Sequence, residues 1–105
     1  MKKAYLTTFF LIVSIISIAQ TSDISITVSD AESNEPLLGA TVYIEQLEKG
    51  AVTNLDGIAT FTAIPYGNHI IKISYIGFET IETTIEVGAK KEFSFKLESG
   101  GNELD

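Results

Sequence analysis

A chain of 105 residues with a formal net charge of −7 and 45% hydrophobic residues has room for one globular domain. The absence of cysteine excludes disulfides, thiolate metal ligands, cysteine nucleophiles and lipid attachment through a thiol. No arginine is present, and Lys2 and Lys3 stand at the very start, so residues 20–105 set five lysines against fourteen acidic residues. That balance repels nucleic acid and anionic lipid surfaces and leaves solubility, or an acidic face toward a basic partner, as its use.

Met1-Lys2-Lys3 is a short basic start, followed by an apolar run from Ala4 to Ile18 that contains Phe9-Phe10-Leu11-Ile12-Val13. Ser17 and Ala19 place small residues where a signal peptidase inspects the chain, which predicts an export signal over 1–19 cut between Ala19 and Gln20. A membrane anchor is the competing reading. It is disfavoured because a bilayer-spanning helix needs roughly 20 apolar residues, whereas Thr7, Thr8, Ser14 and Ser17 interrupt this shorter run.

Beyond Asp23 the period becomes two. Ile24, Ile26 and Val28 alternate with Ser25, Thr27 and Ser29, a strand with one buried face. Asp30 to Pro36 is dense in turn formers and ends it. Ala40, Val42 and Ile44 against Thr41, Tyr43 and Glu45 form the next strand, Gln46 to Gly50 a polar loop, and Ala51-Val52-Thr53 a short extended piece. The turn Asn54-Leu55-Asp56-Gly57 leads to a strand with Ala59, Phe61 and Ala63 facing inward. Pro65-Tyr66-Gly67-Asn68 reverses the chain into a strand from His69 to Tyr75. Gly77 and Phe78 form the corner before Ile81, Thr83, Ile85 and Val87. After Gly88 to Lys91, a last strand points Phe93, Phe95 and Leu97 inward, and periodicity ends at Ser99. Six or seven short strands separated by turns predict an all-β single sandwich. The organisation is a signal over 1–19, a domain over 20–98 and a flexible linker over 99–105.

Few residues offer chemistry. His69 is the sole histidine, too little for a zinc site or a Ser-His-Asp triad, and is expected on the surface or at a strand edge. The carboxylates fall in turns or on the polar side of strands, where nothing desolvates them. Asn54-Leu55-Asp56-Gly57 faintly echoes a calcium loop, but position 63, where the bidentate glutamate belongs, is alanine. Tyr43, Tyr66 and Phe78 either present rings to a sugar or protein partner or close the ends of the core. No enzyme, cofactor or metal is expected.

Four segments in order carry a resemblance: Val28 to Ile44, Thr53 to Phe61, Ile64-Pro65-Tyr66-Gly67, and Ser74-Tyr75-Ile76-Gly77-Phe78-Glu79. Together they resemble the carboxypeptidase-regulatory-like domain, with Asp56, Gly57, Pro65, Gly67, Ser74, Tyr75, Gly77 and Phe78 as the motif residues. The resemblance implies a transthyretin-like (prealbumin-like) sandwich of about seven strands. It also implies a place directly after the signal peptide of Bacteroidota TonB-dependent outer-membrane receptors, where Leu104-Asp105 is similar to the junction that leads to the TonB box, plug and barrel. The implied function is a non-catalytic exported accessory domain at the periplasmic face of the outer membrane. Its implied partner is a cell-envelope protein, either the receptor plug and barrel or the TonB system. The alternative is a free-standing periplasmic or secreted module for a glycan or peptide.

Overall fold

The computed structural model describes residues 20–100. The expected export signal over 1–19, with Ala19, and the Leu104-Asp105 junction lie outside the described residues. Seven strands form in chain order: β1 (Thr21–Asp30), β2 (Thr41–Ile44), β3 (Lys49–Val52), β4 (Ile58–Pro65), β5 (Gly67–Ser74), β6 (Ile81–Val87) and β7 (Glu92–Leu97). They build a three-stranded sheet in the order β4-β1-β7 and a four-stranded sheet in the order β3-β2-β5-β6. The predicted all-β sandwich is thus the observed architecture.

Only β2–β3 and β5–β6 are hairpins within one sheet; every other connection passes from one sheet to the other. The pairings are antiparallel except β1 with β7, which run parallel from Ser25↔Glu92 to Asp30↔Leu97. Period-two alternation puts β-branched residues between the sheets. Ile26, Val28, Val42, Ile44, Ile64, Ile71, Ile73 and Leu97 are completely buried, and Phe61, Ile85 and Phe93 nearly so.

Three details depart from the sequence expectation. Gln46 to Gly50 is not simply a loop: a 3-10 turn covers Glu45–Leu47 and β3 already begins at Lys49. Glu48 takes a left-handed conformation (φ 53°), which reverses the chain so that Ile44 pairs with Lys49. In β4, Ala63 faces solvent and Ile64 enters the core. Ser22↔Ile64 is followed by Ile24↔Phe61, so β4 carries one extra residue, and this bulge shifts its period by one. Ala63 adopts φ 57° there, and the Asp23 carboxylate accepts its N–H at 3.0 Å. The third departure is His69, described below.

Candidate functional site

The buried polar residues among those described are Ser22, Thr53 and His69. His69, expected at the surface, is 7% exposed. It enters β5 in phase with Ile71 and Ile73, so its ring follows the strand's inward face. Its Nε2 lies 2.7 Å from the Pro65 carbonyl, while Nδ1 is buried without a hydrogen-bond partner. No described carboxylate is buried, and no described group of three or more His, Cys, Asp or Glu is placed to hold a metal ion. In the Asn54–Gly57 turn, the side-chain oxygen of Asn54 accepts the N–H groups of Asp56 (2.9 Å) and Ile58 (3.0 Å). The side chain with faint calcium-loop character therefore serves as a backbone cap.

The motif residues concentrate at one end of the sandwich. The loops β1–β2, β3–β4 and β5–β6 all meet there, because Thr41 pairs with both Val52 and Ser74 while Thr27 pairs with Ile58. Thr53 ties them together. Its hydroxyl accepts the Ala40 N–H at 2.8 Å and donates to the Leu37 carbonyl at 2.6 Å, and its backbone bonds Ala40 and Gly39. Gly57, at φ 75°, packs so closely that an added Cβ would lie 2.6 Å from the Val28 carbonyl oxygen and 2.9 Å from Pro36. Sequence reasoning missed Thr53, which reads as an ordinary strand residue; its pairing spans loops that only the fold brings together.

The Ser74-to-Glu79 segment has a role that periodicity did not disclose. Gly77 turns at φ 86°, and the Tyr75 and Phe78 rings pack at 5.5 Å between centroids. Phe78 bridges Ser99, the Glu79 N–H bonds the Glu98 carbonyl at 2.8 Å, and the Gly100 N–H bonds the Gly77 carbonyl at 3.3 Å. The chain is thus stitched back onto the β5–β6 corner as it leaves β7. Asp56, Gly57, Ser74, Tyr75, Gly77 and Phe78 share this end. Pro65 and Gly67 lie at the opposite one, where the Tyr66 N–H bonds the Gln20 carbonyl.

The two flanks of the sandwich also differ. On one, Lys49 of edge strand β3 reaches the Thr62 carbonyl of edge strand β4 at 3.4 Å. On the other, a groove of about 530 Å³ opens between edge strands β6 and β7, lined by Ile85, Phe93 and Phe95 among others. Lys90 Nζ stands 5.2 Å from the Phe93 ring centroid at its rim.

These features define a two-sheet β-sandwich domain in which buried Thr53 organises the loops of one end. The chain belongs to the CarboxypepD_reg-like domain family, whose model matches residues 24–105, in agreement with the four-segment resemblance. It is 31% identical over 103 residues to the TonB-dependent receptor P3 of Formosa agariphila, a match that covers 98% of this chain and 10% of that protein. The chain therefore spans about a tenth of that curated relative. Among solved structures, the group B streptococcus pilus 2b backbone protein superposes with a TM-score of 0.64 at 14% identity, over 81% of this chain and 43% of that one. The Bacillus anthracis TIE protein gives 0.57 at 22% identity, over 75% and 16%. At these identities the likeness is one of fold.

Proposed function

We propose that this chain is an exported, non-catalytic accessory domain that stands at the N-terminus of a TonB-dependent receptor and acts through contacts with other cell-envelope proteins. In this reading residues 1–19 are the signal, cut between Ala19 and Gln20. Residues 20–98 are the domain, and residues 99–105 join it to the plug and barrel, with the domain at the periplasmic face of the outer membrane. The observation that carries it is the similarity to the Formosa receptor along nearly the whole chain while matching only a tenth of that receptor. That no described carboxylate is buried supports a role without chemistry. The test is to read the coding sequence beyond residue 105 together with its neighbouring genes and to fractionate the cell envelope. A plug and barrel are expected in frame or in an adjacent interrupted gene; their absence removes the receptor reading.

The β6–β7 groove favours a second reading, a free-standing module that takes a glycan or an extended peptide along an open sheet edge. Calorimetric titration with polysaccharides and unstructured peptides distinguishes it, since a receptor spacer gives no heat with either.

A further inference from the structure

The loop end of the sandwich exposes three large aliphatic side chains, one from each loop: Leu38 (51% exposed), Leu55 (77%) and Ile76 (89%). The three loops approach one another at Gly39. The Gly39 N–H bonds the Thr53 carbonyl at 3.1 Å, and the Tyr75 ring lies 3.7 Å from where a Gly39 Cβ would stand. Single exposed aliphatics need no explanation, but three on loops that share one end of the sandwich offer an interaction surface. Exposed Glu32, Glu35, Asp56, Glu79 and Glu98 belong to the loops of the same end. The chain also leaves the domain here, since Gly100 is hydrogen-bonded to Gly77, the neighbour of Ile76.

We infer that Leu38, Leu55 and Ile76 form the surface on which the next domain of the receptor docks, through an apolar patch edged with Lys or Arg. The inference rests on the receptor reading, because most of the similar receptor lies outside the region this chain matches. Gly100, the last described residue, is bonded to the neighbour of Ile76, so a domain that follows in the same chain docks intramolecularly. Short flexible tethers supply effective concentrations on the order of 1 mM, at which a weak contact with Kd of ~0.1 mM is formed ~90% of the time. A patch of three side chains, too small to hold a separate partner, is sufficient under those conditions. The acidic residues of this end favour a basic-edged protein surface over anionic lipid headgroups.

The chain has no cysteine, so Leu55→Cys or Ile76→Cys creates a single labelling site in it. Ala89→Cys, in the exposed β6–β7 turn at the opposite end, serves as the control. Maleimide labelling rates are compared between the 105-residue chain and the complete gene product, with the complete product lacking the added cysteine as background. Docking predicts labelling at 55 and 76 slowed several-fold in the complete product, less than the roughly tenfold of a ~90% formed contact because each cysteine removes one of the three aliphatics. Position 89 should label equally in both, and Leu38→Asp should restore the fast rate at 55. Equal rates in a full-length receptor overturn the docking and leave the receptor reading intact. A gene product no longer than this chain overturns both. Slow, concentration-dependent labelling in the 105-residue chain identifies a second copy as the occupant and overturns the proposal in favour of self-association.

Discussion

At Thr53 one hydroxyl meets two backbone groups that water cannot reach, so its loss leaves the Ala40 N–H and the Leu37 carbonyl unpaired. Thr53→Val keeps the shape and removes the bonds. Each buried group left without a partner costs about 1–3 kcal/mol, and denaturant unfolding should show that loss, with Thr53→Ser recovering most of it. Gly57 is constrained twice, by its positive φ and by the Val28 carbonyl at 2.6 Å from an added Cβ. Gly57→Ala should cost about 2–4 kcal/mol, from a left-handed penalty and an overpacked contact; an unchanged melting temperature refutes this account. Ala63 presents the opposite case, a residue with a Cβ held at φ 57° and exposed. Ala63→Gly relieves roughly 1–2 kcal/mol of backbone strain and returns about 0.5–1 as lost chain entropy. The expected result is a small gain in stability.

At the scale of elements, the β5–β6 corner and the segment after β7 act as one unit. Glu79→Pro removes the N–H that bonds the Glu98 carbonyl. Amide exchange at Gly100 should then rise toward the rate of an open chain, while exchange in β1 and β5 stays slow; an unaltered Gly100 rate means that the stitch does not hold the exit. Strand existence at this scale was legible, because alternation of apolar with polar residues marks every strand except β3, whose Lys49-Gly50-Ala51-Val52 carries no such pattern. Phase within a strand was less so. Ala63 and Ile64 exchange roles through a bulge stabilised by Asp23, forty residues away in sequence, and no local pattern announces it. His69 was misread for a related reason. Its type suggests a surface, while its phase with Ile71 and Ile73 suggests the core, and phase prevails.

For the whole molecule, β1 is the strand on which the three-stranded sheet depends, since it pairs β4 on one side and β7 on the other. Both pairings close long loops before any contact compensates the entropy lost. Refolding of residues 20–105 should therefore be single-exponential on a millisecond-to-second scale, as in other all-β sandwiches; a microsecond folding phase in temperature-jump relaxation contradicts this. The amino-acid sequence by itself determined the all-β class, the turns, most of the core and the family, because alternation and turn chemistry are local properties of the chain. Tertiary structure alone decided three things: the parallel pairing of β1 with β7, the burial of Thr53, and the placement of six motif residues and three exposed aliphatics at the same end of the sandwich. Each of these depends on which loops arrive at the same end of the sandwich, and that is set by strand order and sheet crossing rather than by any stretch of sequence.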